Sequence, residues 1–348
     1  MKKNYYLIMF LYVLLLFSCQ KEVKNSGPIA NPNPQVNVYV VGQEDNSAHS
    51  VAKLWKNGKP VSLSDGSHSV YPTSVTVQGN DVYVCGFESN DAGNAGATYW
   101  KNCIPVKLSP GIINTMAYSL AVGGNDVYVA GFAITADGPH AMYWKNGNPV
   151  YLSNSTYAYS TTYSIAVSGN DVYVAGSVGT ARGDDDGHGV YWKNGDPVIL
   201  AEDFTPASIS ILGNDTYLAG TINYGWPPYV NRIAAVWKNG ELQNLKDSSL
   251  DTFGNDVTVS GSDVYVAGHE LKGALPYAIY WKNGSLVKLS AIMSQGISIA
   301  VSGNDVYVAG YVNNGGTGVA TYWKNGNPVY LTDGVNNASA SDIFIASQ

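Results

Sequence analysis

Short runs of alternating apolar and polar residues recur along the chain from Val36 onward, and turn-forming residues separate them. One such unit, Ala117–Leu152, predicts four short antiparallel strands. Asn146-Gly147 favours a two-residue hairpin, because a type I′ turn needs positive φ at both central residues. Pro149 has no backbone donor, so its strand is expected at a sheet edge. The predicted strands are Tyr118–Val122, Val127–Gly131, Ala141–Lys145 and Pro149–Leu152.

This unit occurs seven times, with a period of about 45 residues. Each copy has a tyrosine at the centre of its second predicted strand and a Trp-Lys-Asn-Gly sequence that ends the third; in the second copy Cys103 replaces the glycine. The tyrosines are Tyr39, Tyr83, Tyr128, Tyr173, Tyr217, Tyr265 and Tyr307. The tryptophans are Trp55, Trp100, Trp144, Trp192, Trp237, Trp281 and Trp323, and at a fixed repeat position they indicate core between neighbouring units.

Four antiparallel strands in a repeat of this length are typical of a β-propeller blade. The layout resembles kelch-type blades and the Trp-x-x-Gly repeats of bacterial surface proteins, and the resemblance covers residues 36–348. It implies an all-β, seven-bladed β-propeller with four antiparallel strands per blade. The first copy lacks its first strand, and Ala340–Ala346 repeats that strand after the seventh copy. We therefore expect the C-terminal segment to complete blade one.

The N-terminal residues follow another pattern. Lys2 and Lys3 precede an apolar run, Tyr5–Phe17, that is too short to span a membrane and is typical of a secretory signal. With Ser18 before Cys19, the segment resembles the signal peptide of bacterial lipoproteins. The resemblance implies that residues 1–18 are removed and that Cys19 carries a palmitate-type acyl chain. An ordinary signal peptide that happens to contain a cysteine is the alternative.

Residues 19–35 are polar and contain three prolines, which predicts a flexible tether between the lipid and the propeller. Gln20-Lys21-Glu22 resembles the surface-export signal of Bacteroidota lipoproteins. The expected location is therefore the cell envelope, with the protein lipid-anchored in the outer membrane and exposed at the cell surface.

Composition and charge narrow the function. The formal net charge of −7 argues against nucleic-acid binding. The chain has no nucleophile elbow, His-Glu-x-x-His sequence or phosphate loop, so we do not expect an enzyme. A monomeric binding or scaffold module that recognises a protein or glycan partner at the envelope is expected, without a cofactor. A lectin-like carbohydrate-binding protein and an envelope enzyme on a propeller scaffold are the alternatives.

The two faces of the predicted ring differ. One face carries the two tight turns of every copy. It repeats a lysine in all seven copies and an aspartate in six, and this is either a charged docking ring or a solvated surface. The other, the variable-loop face, carries all five histidines, both arginines and Trp226. Loops on a rigid scaffold commonly bind ligands. The candidate ligand-binding residues there are Trp226, Tyr229, Tyr224, Arg232, Tyr157, Tyr159, His140, His188 and His269.

Asp184, Asp185 and Asp186 concentrate carboxylate oxygens on the same face, which makes them a candidate Ca²⁺ site. They lack the alternating spacing of a dedicated calcium loop, so a solvated acidic loop is the alternative. Cys85 should lie opposite Tyr99 on the adjacent strand, and Cys103 should lie at the far turn. The strand pairing therefore argues against a Cys85–Cys103 disulfide.

Overall fold

Seven four-stranded antiparallel sheets make up the part of the chain that the structure describes. The structure is a computed structural model, and it describes residues 36–89, 93–108, 114–152, 159–179, 187–200, 203–224, 231–245 and 250–347. Cys19 and the tether lie outside these ranges. No helix within the described ranges is long and apolar enough to cross a membrane.

Each sheet is one blade, and its four strands are ordered from the centre of the ring to the rim. The inner strands are β4 (Ser69–Gln78), β8 (Thr115–Gly123), β12 (Tyr159–Ser168), β16 (Phe204–Leu212), β20 (Thr252–Ser260), β24 (Ser294–Ser302) and β28 (Ala338–Ser347). The second strands are β1 (Val36–Asp45), β5 (Asp81–Ser89), β9 (Asp126–Thr135), β13 (Asp171–Gly179), β17 (Asp215–Tyr224), β21 (Asp263–Lys272) and β25 (Asp305–Asn314).

The third strands are β2 (Ser50–Lys56), β6 (Ala95–Lys101), β10 (Gly138–Lys145), β14 (His188–Lys193), β18 (Asn231–Lys238), β22 (Leu275–Lys282) and β26 (Thr317–Lys324). The outer strands are β3 (Lys59–Ser62), β7 (Ile104–Lys107), β11 (Asn148–Tyr151), β15 (Asp196–Ile199), β19 (Glu241–Asn244), β23 (Ser285–Lys288) and β27 (Asn327–Tyr330).

Blade one is built from both ends of the described chain, as the repeat predicts. Its strand order is β28-β1-β2-β3, and β28 pairs antiparallel with β1. Contacts between neighbouring inner strands continue around the ring, and β28 contacts β4 and β24. The seven inner strands therefore surround a central channel.

The repeated tryptophans form the core between blades, as expected. All seven are at most 7% exposed. Trp144 of blade three packs with Tyr83 and Val129, and Trp55 of blade one packs with Tyr307 of blade seven. The tryptophan at this repeat position thus packs both at the interface that closes the ring and at the interfaces between internal blades. Burial of an aromatic side chain of this size is worth several kcal/mol, so every blade interface has a comparable apolar anchor.

The strands continue further toward the variable-loop face than the sequence pattern predicts. In blade three, β8 begins at Thr115 rather than Tyr118, and β9 continues to Thr135 rather than ending at Gly131. The cause is a bulge at Tyr118, which interrupts the two-residue alternation on which the prediction depends. In every blade a glycine of the second strand faces this bulge; at Gly131 a Cβ would overlap the Met116 carbonyl and the Trp144 ring.

Candidate functional site at the mouth of the central channel

The lysines and aspartates of the tight-turn face pair within each blade. In blade three, Lys145 Nζ lies 2.8 Å from Asp126 Oδ2 and 5.2 Å from the centroid of the Tyr128 ring. The Tyr128 hydroxyl and the Asn146 amide both donate to the same carboxylate, at 3.3 and 2.7 Å. Blades two to seven each repeat the ion pair, in Lys101–Asp81, Lys145–Asp126, Lys193–Asp171, Lys238–Asp215, Lys282–Asp263 and Lys324–Asp305.

These contacts hold the two turns of a blade together. The hydrogen bonds from Lys145 and Asn146 keep the pKa of Asp126 below its usual range, and Asp126 raises the pKa of Lys145. Blade one has Asn37 at the aspartate position, and Asn57 donates to it at 2.9 Å. The lysines and aspartates of blades two to seven pair with each other inside their own blade. This favours the interpretation of the tight-turn face as a solvated structural surface over a docking ring.

One open depression of about 590 Å³ lies on the tight-turn face between blades six and seven. Its walls include Asp263, Lys282 and Asn325. Lys282 pairs with Asp263 at 2.8 Å, and Asn325 bonds to Asp305 at 2.8 Å. Because the same turn residues recur at the other blade interfaces, this depression is a feature of the repeat and not a specialised site.

The described candidate residues lie on the variable-loop face, but on four different blades. His140 contacts Thr135 and Asp137 of its own hairpin, at 2.9 and 3.3 Å. Tyr159 packs over Gly138 of the preceding blade. Tyr224 is 42% exposed at the end of β17, and His188 begins β14. Trp226, Tyr229, Tyr157 and Asp184 to Asp186 lie outside the described residues. Groups of three or more metal-ligating side chains are absent from the described ranges.

Arg232 and His269 are brought together through Phe253. The His269 and Phe253 rings stack in parallel, with centroids 4.6 Å apart and planes 6° apart. The Arg232 guanidinium lies 5.6 Å from the Phe253 centroid, and Arg232 Nη1 lies 3.9 Å from Asp251 Oδ2. His269 is 8% exposed, and its burial lowers its pKa to about 4, so the imidazole is neutral at physiological pH.

His269 belongs to a set of 21 positions, here called the channel mouth, where the inner ends of the blades open toward the variable-loop face. Each blade contributes the residue two positions before the bulge residue, the bulge residue itself, and the second-strand residue that follows the repeated glycine. The residues before the bulge are Ser339, Tyr71, Met116, Thr161, Thr205, Phe253 and Gln295. The bulge residues are Ser341, Thr73, Tyr118, Tyr163, Ala207, Asn255 and Ile297. The second-strand residues are Gln43, Phe87, Phe132, Ser177, Thr221, His269 and Tyr311.

All positions of the channel mouth except His269 are partly exposed. Each inner strand contacts the inner strands of both neighbouring blades, so these positions lie where the blades meet around the channel. The mouth differs from the repeated strand segments beside it, because its residues vary from blade to blade. A strand position whose residue differs among the seven blades is not restricted by the packing between blades that keeps the neighbouring positions the same.

One wall of the channel mouth is aromatic. Tyr71 and Phe87 of blade two have ring centroids 5.2 Å apart, Phe87 lies 6.2 Å from Tyr118 of blade three, and Tyr118 lies 5.5 Å from Phe132. The next blade continues with hydroxyl groups: Thr161, Tyr163 and Ser177 have their oxygens within 2.9–3.1 Å of one another. The wall therefore changes from aromatic rings in blades two and three to hydrogen-bonding groups in blade four.

Below the channel mouth, a belt of polar side chains links all seven blades; it consists of Ser74, Ser119, Ser164, Ser208, Asp256, Ser298 and Asp342. Ser119, for example, accepts the Ile165 N–H at 3.2 Å, and Asp342 accepts the Val75 N–H at 2.7 Å. Each of these bonds joins one inner strand to the next. The belt therefore sets the spacing of the inner strands directly beneath the mouth.

The two aspartates of the belt share Ser298 between them. Its Oγ lies 2.9 Å from Asp256 Oδ2 and 2.5 Å from Asp342 Oδ1. The Ser298 hydroxyl can donate its one proton to only one of the two carboxylates. The other Ser298–carboxyl contact is a hydrogen bond when that carboxyl carries a proton. Burial raises the pKa of both groups, and the nearby Asp256 charge helps raise the pKa of Asp342 to about 6.

Sequence reasoning selected His269 and Arg232 but missed most of the channel mouth. Phe132 follows Gly131, the last residue predicted for the second strand of blade three, and Phe87 is the equivalent residue of blade two. The alternating pattern places Tyr118 at an ordinary strand position. Alignment of the seven copies could have found them, because they are variable positions beside repeated ones. Cys85 pairs with Tyr99, as predicted, and neither Cys85 nor Cys103 forms a disulfide. Burial raises the pKa of Cys85 to about 12, which makes it an unreactive core thiol.

No protein-family model matches the chain, and no curated protein matches it. Among solved structures, the β-propeller domain of the trilobed protease from Pyrococcus furiosus, which has an open velcro topology, aligns with a TM-score of 0.53 at 10% identity. This alignment covers 86% of this chain and 93% of that one. The chain has the β-propeller fold. An acylaminoacyl peptidase from Pyrococcus horikoshii aligns with a TM-score of 0.51 at 13% identity, over 87% of this chain and 52% of its own.

This chain thus spans about half the length of that peptidase. At such identities the resemblance is one of fold alone, and propellers occur both in enzymes and in binding proteins. The function must therefore be argued from the residues of the site.

Proposed function

We propose that this protein is a binding module of the cell envelope, with the channel mouth as the site that recognises a protein or glycan partner. The observation that carries the proposal is the variability of the 21 mouth positions on strands that otherwise repeat. The repeated residues account for the fold through the tryptophan core, the tight-turn ion pairs and the polar belt. The mouth residues have no such shared role.

The placement of the mouth residues also supports binding. The inner strands of all seven blades meet around the channel, and the mouth side chains stand on strands and not on loops, which holds them in place. Ligand sites in proteins usually combine apolar surface with a few polar groups. The aromatic wall and the hydroxyl group cluster of blade four provide both kinds of surface.

A lipid anchor at Cys19 would hold the propeller at the outer membrane, and the tether would allow it to reach partners beyond the membrane surface. This part of the proposal rests on the N-terminal sequence. Metabolic labelling with a fatty acid, followed by membrane fractionation, tests it. The Cys19→Ser variant should lose both the label and the membrane association; a variant that retains both would refute the anchor.

The site is tested by comparing the intact protein with variants in which mouth residues are exchanged for those of another blade. Phe87→Ser introduces the blade-four residue, and Tyr118→Thr introduces the blade-two residue, so both suit the fold. Labelled protein is incubated with envelopes, and retention is measured. The double variant should lose retention, whereas a Lys145→Ser/Lys193→Ser control on the tight-turn face should keep it. Retention lost only in the lysine control would place the site on the opposite face.

A further inference from the structure

The channel mouth contains no aspartate, glutamate, lysine or arginine at any of its 21 positions, all of which are described. Seven positions are phenylalanine or tyrosine, and most of the others carry a hydroxyl or an amide group. Arg232, which lies against Phe253 beside the mouth, is 3.9 Å from Asp251, and Lys272 and Lys288 pair with Glu270. The charge of the surface therefore favours an uncharged ligand.

His269 carries a hydrogen-bond donor of fixed orientation among these uncharged residues. Its Nδ1 lies 3.3 Å from the amide nitrogens of both Asn255 and Gln295. An amide nitrogen can only donate, so Nδ1 is the acceptor and the proton of the neutral ring must be on Nε2. Within the described residues Nε2 has no hydrogen-bond partner. The ring is 92% buried by its neighbours, and stacking on Phe253 fixes its orientation.

The polar network around His269 extends across a blade boundary. Asn255 donates from blade six to the carbonyl of Gly296 in blade seven, at 2.6 Å, and Gln295 of blade seven reaches back to His269. Because both amides are held by the neighbouring blade, the imidazole has one orientation and one tautomer. A donor prepared in this way loses little entropy when it binds an acceptor.

We propose that the channel mouth binds a neutral saccharide, whose apolar ring faces contact the Tyr71–Phe132 aromatic wall and whose hydroxyl oxygen accepts a hydrogen bond from Nε2 of His269. This inference rests on the proposed function and names the ligand class of the same site. Sugar rings present both C–H faces and hydroxyl groups, which match aromatic rings and neutral donors respectively. A peptide ligand fits less well, because no charged group in the mouth compensates a terminus or a charged side chain.

The test uses the full propeller on an array of neutral, sialylated and sulfated oligosaccharides, followed by calorimetry with the neutral oligosaccharide that binds most strongly. Phe87→Ser should weaken this binding at least tenfold, because it removes a central ring of the aromatic wall. His269→Phe keeps a stacking ring but removes the donor, and should weaken binding about tenfold. His269→Gln introduces the residue that blade one has at the same position, Gln43, and should restore most of the affinity because it keeps a donor.

The pH dependence separates this role of His269 from that of an ordinary histidine. Because the pKa of His269 is lowered to about 4, His269 adds no pH dependence to the affinity between pH 5.5 and pH 8. Asp256 and Asp342 in the belt below also have raised pKa values, and Asp342 titrates near 6, so the pH series is repeated in the Asp342→Ser variant, where the affinity should be constant. A preference for sialylated or sulfated oligosaccharides would overturn the inference, and so would binding that His269→Phe leaves unchanged.

The failure of this inference can be told from failure of the proposed function. If no neutral oligosaccharide binds at millimolar concentration, while envelope retention still depends on Phe87 and Tyr118, the mouth is a site for another ligand class and the saccharide is wrong. If neither assay responds to these variants, the mouth is not the binding site at all.

Discussion

Replacement of Asp342 by serine tests how the polar belt determines stability. Serine occupies five of the seven belt positions, and Ser74, Ser119 and Ser164 each accept an N–H from the next blade. Asp342→Ser should therefore retain the bond from Val75 while it removes a carboxyl group from the crowded region around Ser298. The variant changes one ionisable group and leaves the strand pairing of β28 in place.

The expected effect follows from the raised pKa. The pKa of Asp342 rises from 3.8 to about 6, so between these values the folded chain binds more protons than the unfolded chain. The contribution of Asp342 to stability is thus fully present below about pH 4 and is lost as the pH rises through about 6. At 1.4 kcal/mol per pKa unit, the loss is at most about 3 kcal/mol, because Asp342 is partly exposed and this weakens its desolvation. For a domain of this size that corresponds to about 5 °C in melting temperature.

Thermal unfolding from pH 4 to pH 8 measures this difference. The melting temperature of the wild type, minus that of Asp342→Ser, should fall by up to about 5 °C between pH 4 and pH 7.5. Asp305→Ser is the control: Lys324 lowers the pKa of Asp305 below 3.8, so its contribution is already present at pH 4, and the difference from the wild type should stay nearly constant up to pH 8. A difference between wild type and Asp342→Ser that stays constant, or that grows with pH, would show that the pKa of Asp342 is not raised and that the shared-proton interpretation is wrong.

Two further predictions concern the fold. Deletion of Ala338–Ser347 removes the inner strand of blade one and exposes the core around Ile343. Burial of the Ile343 side chain alone is worth about 1.5–3 kcal/mol, so the truncated chain should aggregate on size-exclusion chromatography. An unchanged melting curve would contradict the closure by β28. Gly131→Ala should destabilise the chain by about 1–3 kcal/mol in a denaturant titration, because the new methyl overlaps the Met116 carbonyl and the Trp144 ring. Gly96→Ala is the control, since a Cβ there meets open space. Equal effects at both glycines would contradict the steric argument.

The repeated part of the molecule was predictable from the sequence, and the variable part was not. The Trp-Lys-Asn-Gly sequence predicted both the inter-blade core and the hairpin turn. The turn requires a positive φ at its first central residue, which asparagine tolerates, and Asn146 has a φ of +52°. Ala340–Ala346 predicted the closing strand because it repeats the pattern of the other inner strands. These positions carry the same constraint seven times, so the pattern is strong.

The channel mouth gave no comparable pattern. The bulge at Tyr118 shifts the alternation by one residue, and the strand segments beyond it read as loops. The state of His269 depends on Asn255, Phe253 and Gln295, which come from two inner strands and meet only in the folded ring. The histidine was visible in the sequence, but its buried, neutral character was not. In the same way, the raised pKa values of Asp256 and Asp342 depend on burial and on their shared contact with Ser298.

Closure of blade one by β28 also has a consequence for the order in which the sheets are completed during synthesis. Blades two to seven each contain four consecutive strands, so each can finish its sheet once its own segment has left the ribosome. Strands β1 to β3 are made first but must wait for the last ten described residues, and until then the inner edge of β1 has no partner. An open strand edge of this kind can accept the equivalent strand from another copy of the chain. A delay at the end of translation would therefore favour strand-swapped assemblies over the closed ring.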